Sequence, residues 1–154
     1  MTHAEKAREL FEEGYNCAQA VAGAFAEDTG MDMDTIARLM SSFGGGVAHM
    51  REVCGCVSGM SLIFGYLYGY TDPKADKEKA DQYVIIKEMA DQFKEENGGL
   101  TCRDLLAAIK DGTSPNPLAK EAAGLQRPCA YLVARMAEIL EAKMNELNAC
   151  QKED

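Results

Sequence analysis

Apolar residues recur every three to four positions along most of the chain, and no stretch alternates apolar and polar residues long enough to read as a strand. Residues 3–13 carry the first such stripe, which Gly14 interrupts. Asn16 is a good N-cap for a second helix, CAQAVAGAFAED, which stops at Gly30. A third, DMDTIARLMSSF, opens on Asp32 and Asp34 and is broken by the glycines at 44–46. The fourth runs from about Val53 to Tyr68 almost without charge, with Gly55 and Gly59, and again Gly65 and Gly69, four residues apart. Small residues at that spacing line one helix face and let another backbone approach closely. Asp72-Pro73 turns the chain into a long helix, KADKEKADQYVIIKEMADQFKEENGG, whose acids and lysines read as a solvated face. Thr101 caps CRDLLAAIK, which Gly112 ends. Residues 111–127 hold two prolines and two glycines and read as an ordered loop. Pro128 suits the first turn of a last helix, CAYLVARMAEILEAKMNEL. The pattern predicts one domain over residues 1–154, an all-α bundle of five to seven helices with the glycine-rich helix at its centre.

Composition narrows the partners. A chain of 154 residues, 47% hydrophobic and 27% charged, can bury one core. Its net charge of −9 argues against a nucleic-acid backbone or an anionic membrane surface as partner. The opening MTHAEKARELFEEGYN lacks the apolar stretch of a signal peptide, and the weakly polar run Val53–Tyr70 is short for a membrane span and holds four glycines. The expected location is the cytoplasm, where thiols are normally kept reduced. Six cysteines then call for a reason other than structural disulfides.

Those cysteines are Cys17, Cys54, Cys56, Cys102, Cys129 and Cys150. Cys17 follows Asn16, Cys102 follows Thr101, Cys129 follows Pro128, and Cys54 lies near the start of the glycine-rich helix. A helix N-terminus carries unpaired N–H groups and partial positive charge, which stabilise a thiolate, the form that attacks disulfides and binds metals. At least one of Cys54, Cys102 and Cys129 is therefore expected to have a lowered pKa. Each cysteine taken singly has a plainer reading, a small apolar side chain packed in the core. Cys150 lies near the terminus and reads as incidental. Within a regular helix Cys54 and Cys56 would point about 200° apart. If the helix starts later, the C-x-C turn could hold both sulfurs on one site, and the sequence leaves this open.

Other chemistry is sparser. A zinc site from Cys17, Cys54, Cys102 and Cys129 has no C-x2-C spacing to announce it, and no C-x-x-C-H haem motif occurs. His3 lies near the terminus. His49 reads as a polar loop residue, with a thiolate partner or metal ligand as the alternative. Arg51 is close enough to the C-x-C pair to lower a thiol pKa. FGGGVAHM could cradle an anion but lacks the Lys-Ser/Thr of a P-loop, so it reads as a tight-packing turn.

GYNCAQAV, FGGGV followed by CGCVSG, TCRDLL and PCAYLVARMAEIL together resemble the redox-active proteins named for their C_GCAxxG_C_C cysteine pattern, from Gly14 to Leu140. The resemblance implies a small, mostly helical bacterial or archaeal protein whose signature cysteines map onto Cys17, Cys54, Cys102 and Cys129. The motif glycines map onto Gly55 and Gly59. Cys56 stands where the pattern has alanine, so its role as an added redox partner or a small buried residue is open.

Three readings follow. In the first, a thiol redox protein works by thiol–disulfide exchange or electron transfer with an unidentified thiol, disulfide or electron-transfer partner. Cys54 attacks, and Cys17, Cys102 or Cys129 resolves, with Cys56 beside them. It needs no cofactor. In the second, Cys17, Cys54, Cys102 and Cys129 hold zinc or an iron–sulfur cluster. In the third, glycine-faced helices and nine methionines serve a homodimer without chemistry.

Overall fold

A computed structural model describes residues 1–152. Its α-helices are α1 (His3–Glu13), α2 (Cys17–Gly23), α3 (Ala26–Thr29), α4 (Met33–Met40), α5 (Gly55–Tyr68), α6 (Asp76–Asn97), α7 (Cys102–Asp111), α8 (Leu118–Ala122) and α9 (Ala130–Lys152). A 3₁₀ turn, Ser41–Phe43, extends α4. The all-α expectation holds, but the nine helices among the described residues exceed the five to seven predicted. Two additions account for the difference. The single helix expected after Asn16 divides at Phe25, which leaves helical geometry (φ −107°, ψ 18°) and buries its ring completely. The loop expected over 111–127 contains α8.

Several boundaries follow from capping. Thr2 and Glu5 form a capping box on α1, and Asn16 and Gln19 form one on α2. Thr101 caps α7 through the Asp104 amide, as its position before CRDLL implied. Gly14, Gly30, Gly98 and Gly112 end their helices in the left-handed conformation that glycine adopts without steric cost. α5 begins at Gly55 rather than Val53, because Val53 pairs with Thr101 in an isolated antiparallel bridge.

The two most extensive helix pairings are α1 against α9 and α2 against α5, so the glycine-rich helix is one partner among several rather than the centre of the bundle. The second pairing uses the first glycine pair. A Cβ on Gly55 would lie 2.9 Å from the Ala18 amide nitrogen, and one on Gly59 would lie 2.6 Å from the Ala18 carbonyl oxygen. The second glycine pair does no such work. Gly65 would meet only the Gln82 side chain, at 3.8 Å, and Gly69 caps the end of α5. Below this seam Met60, Ile63 and Phe64 of α5 join Phe25, Phe93, Leu132, Met136 and Leu140 in the core. At the far end, the Glu96 carboxylate accepts both the Nε and an Nη of Arg135 at 2.7 Å, tying α6 to α9.

His3 is less free than its terminal position suggested. Its ring stacks on Phe25 at 4.1 Å, and its two nitrogens contact Asp28 at 2.7 Å and Glu141 at 2.8 Å. Burial works to lower its pKa, but the two carboxylates outweigh burial and hold it above 6.5. The folded state therefore binds this proton more tightly than the unfolded chain. Its contribution is complete below the ordinary histidine value and is lost as pH rises through the raised one. Partial solvent exposure limits the effect to about 1 kcal/mol or less. Thermal unfolding from about pH 5 to pH 9 should show a stability decrease in the wild type that His3→Gln removes. An unchanged pH profile in His3→Gln would sink the assignment.

Candidate functional site

Four helix starts converge on one cavity of 280 Å³. Cys17 opens α2, Cys102 opens α7, Cys54 immediately precedes α5, and Cys129 immediately precedes α9. All four line the cavity. They come from positions up to 112 residues apart, the separation of Cys17 and Cys129. The partial positive charges of four N-termini thus point toward a common space. No side chain caps α5.

Two sets of contacts hold the helix starts in register. Around the Val53–Thr101 bridge, the Cys54 amide donates to the Leu100 carbonyl at 2.9 Å, and the Cys102 amide donates to the Glu52 carbonyl at 2.7 Å. This sets Cys54 beside Cys102. On the other side, Arg127 donates to the carbonyls of Phe11 and Tyr15, each at 2.7 Å, and its guanidinium lies 4.0 Å from the centre of the Phe11 ring. Arg127 thereby fastens the segment before α9, which carries Cys129, to the α1–α2 junction, which carries Cys17. Sequence reasoning missed Arg127, because nothing local marks an arginine whose partners lie more than a hundred positions away.

The segment after the glycines has an unusual backbone. Gly45, Gly46, Val47, Ala48 and His49 all have positive φ, between 48° and 68°, and Arg51 follows at 61°. Left-handed geometry costs an L-residue other than glycine roughly 1–2 kcal/mol, so the run persists only because its surroundings hold it. The Arg51 amide donates to the Gly45 carbonyl at 3.0 Å and the Glu52 amide to the Gly46 carbonyl at 3.1 Å. A Cβ on Gly46 would lie 2.8 Å from Cys102 Cβ, so the turn packs directly on the site. It brings His49 and Arg51 to the cavity wall, and Arg51 donates to Cys102 Sγ at 3.3 Å. The tight-packing reading of FGGGVAHM fits. The glycines do not lead straight into a helix, since α5 starts only at Gly55.

The C-x-C question is settled by where α5 begins. Cys54 has extended geometry (φ −56°, ψ 135°) outside the helix, while Cys56 is inside its first turn and wholly buried. The two thiols interact, and Cys56 also interacts with Cys17. Cys17 in turn interacts with Cys129. Cys17 thus has Cys129 and Cys56 as neighbours, and Cys56 has Cys54 as well. Contacts with the Cys129 and Cys56 thiols hold the Cys17 pKa well below the ordinary cysteine range, against burial and with help from the Arg127 charge. The Cys17 contact pushes Cys129 up, and the Cys17 and Cys54 contacts push Cys56 up, each reinforced by burial. Burial also raises Cys102, opposed by its hydrogen bond from Arg51. The expectation of a lowered pKa at Cys102 or Cys129 is thus corrected. At Cys102 and Cys129 the helix start does not offset desolvation and neighbouring thiols, whereas at Cys17 contacts with two thiols favour the charged form.

Cys150 is exposed on α9, away from the cavity lining. Among the described residues no three His, Cys, Asp or Glu side chains are arranged to hold a metal ion. The zinc and iron–sulfur alternative thus finds its four sulfurs on one cavity but not grouped for ligation. Among the described residues no helix is long and apolar enough to cross a membrane.

No curated protein and no solved structure matches the chain. A family model does match, over residues 15–143, under the description "Putative redox-active protein (C_GCAxxG_C_C)". The matched span takes in Cys17, Cys54, Cys102 and Cys129, the four cysteines that meet on the cavity, and Cys56, which joins them from behind. By that match, over most of its length, the chain belongs to the C_GCAxxG_C_C family.

Proposed function

We propose that the chain is a thiol–disulfide exchange protein in which Cys17 attacks and Cys129 resolves. The observation that carries this reading is that Cys17 and Cys129 line one cavity, where the neighbouring Cys129 and Cys56 thiols lower the Cys17 pKa. In the reductive direction the Cys17 thiolate attacks one sulfur of a substrate disulfide. A mixed disulfide forms and the other half leaves as a thiolate. Cys17 is then neutral, and the charge that raised the Cys129 pKa is gone. Cys129 loses its proton to the departing thiolate and attacks Cys17 Sγ. The products are one substrate thiol, one substrate thiolate and a Cys17–Cys129 disulfide, so one disulfide is reduced as another forms and the single negative charge leaves with the substrate. Cys54 and Cys102 sit on the same wall, where a second exchange can return the pair to its reduced form at the expense of an external dithiol.

Alkylation of protein purified without oxygen tests this. Cys17 should react fastest, with its rate reaching half-maximum well below about pH 8.5, the free-thiol value. Cys129→Ser should accumulate the mixed disulfide at Cys17 when given a disulfide substrate. Zinc or iron bound at stoichiometry in the same preparation would replace this reading with the metal-binding one. A Cys17 rate that half-titrates at or above the free-thiol value would remove the thiolate it depends on.

A further inference from the structure

In a chain of net charge −9, none of the described residues lining the cysteine cavity is aspartate or glutamate. Two arginines line it, Arg51 and Arg127. The arginines found in ion pairs among the described residues are Arg8, Arg103 and Arg135, so neither cavity arginine has a carboxylate partner. Arg127 spends its hydrogen bonds on two neutral carbonyls, and Arg51 donates to the Cys102 sulfur. No carboxylate neutralises either of them, and two guanidinium charges outweigh the single Cys17 thiolate of the exchange reading. The N-termini of α5, α7 and α9 add partial positive charge on the same side. The backbone holds Arg51 there in a left-handed conformation that costs energy, which an exposed side chain would otherwise have no reason to accept.

Size points the same way. Cys54 is 5% exposed, and Cys17 and Cys129 are half-buried, so their sulfurs are approached through a cavity of 280 Å³ rather than across an open face. Phe11, Leu105 and Leu132 supply apolar wall for the carbon and sulfur of a small molecule. We infer that the cavity takes a small anionic sulfur compound, a low-molecular-weight disulfide or thiol carrying carboxylate groups, with Arg51 as the residue that recognises its charge. This rests on the exchange reading above and narrows its substrate. The step is the one already balanced: the anionic disulfide is reduced to two anionic thiols as Cys17 and Cys129 are oxidised.

Three small disulfides of similar size separate the charges: dithiodiglycolate (anionic), hydroxyethyl disulfide (neutral) and cystamine (cationic). The wild type should exchange with dithiodiglycolate at least about tenfold faster than with cystamine, with hydroxyethyl disulfide between, and added salt should compress the series. Arg51→Gln should cut the preference about threefold or more, Arg51→Lys should keep most of it, and Lys77→Gln, at the exposed start of α6, should leave it unchanged. A second measurement does not involve exchange. The ratio of iodoacetate to iodoacetamide alkylation at Cys17 should exceed that of a free cysteine peptide and fall in Arg51→Gln. Robust exchange at equal rates with all three disulfides would overturn the anionic substrate and leave the exchange reading intact. So would a preference that Arg51→Gln does not move while that variant remains folded. Absence of exchange with all three would overturn the exchange reading and this substrate with it, while the alkylation ratio would still read the charge of the cavity.

Discussion

Cys17→Ser is expected to abolish thiol–disulfide exchange, with a loss of at least about a thousandfold, while the helical signal stays near that of the wild type. Serine fits the first position of α2, where Asn16 still supplies the cap and the neighbouring helix seam is unchanged. What disappears is the thiol whose charged form the neighbouring Cys129 and Cys56 thiols favour. The same variant carries a second, less obvious consequence. Contact with Cys17 is the largest reason that the pKa values of Cys129 and Cys56 are raised. Without that thiolate both should titrate closer to the ordinary cysteine range. Cys129, half-buried on the cavity wall, should therefore be alkylated faster in Cys17→Ser than in the wild type. Rates with iodoacetamide, assigned by mass spectrometry, would show it. If exchange survives in Cys17→Ser and disappears in Cys54→Ser, the attacking role belongs to Cys54, as the sequence pattern alone suggested. If Cys129 is no more reactive in Cys17→Ser, the proposed sharing of one charge among the sulfurs is wrong.

Gly59→Ala should destabilise the fold by about 1–3 kcal/mol, an effect usually associated with much larger substitutions. The added Cβ would sit 2.6 Å from the Ala18 carbonyl oxygen and 3.2 Å from Val21 Cβ. The first of these is backbone, which cannot rotate out of the way, so α5 must move off α2. That displacement separates Cys56 on α5, and Cys54 just before it, from Cys17 on α2. It should also bring the Cys17 pKa back toward the ordinary range, because one of the two thiols solvating the thiolate withdraws. Gly65→Ala provides the contrast within the same helix. There the new Cβ meets only a glutamine side chain at 3.8 Å, and alanine is the better helix former, so stability should rise by about 0.5–1 kcal/mol. Thermal unfolding of the two variants, with the pH dependence of Cys17 alkylation, checks both claims. Equal stability changes at the two sites would mean that Gly59 is not there for close approach.

Much of the local structure was legible along the chain. Thr101, Asn16 and the terminating glycines placed helix ends by capping chemistry that is complete within a few residues. The same locality explains the misreadings. The division at Phe25 is driven by burial of its ring against His3, and the turn of α8 lies in a segment whose prolines and glycines read as loop. Composition and spacing identified Cys17, Cys54, Cys102 and Cys129 as thiols at helix starts, because that depends only on neighbours in sequence. They could not say which of them carries the charge. A pKa is set by whatever lies within a few ångströms, and here that means thiols and an arginine from distant parts of the chain. The sequence by itself thus determined the all-α class, most helix ends, the Gly55–Gly59 seam and the list of candidate thiols. Only the tertiary structure decided that four helix starts border one cavity, that Cys56 is buried behind it inside α5 while Cys54 lies outside the helix, and that the cavity has arginines but no carboxylates among its described lining residues. The physical reason is that capping and close packing act between near neighbours, whereas desolvation and charge sharing depend on distances that only the folded chain fixes.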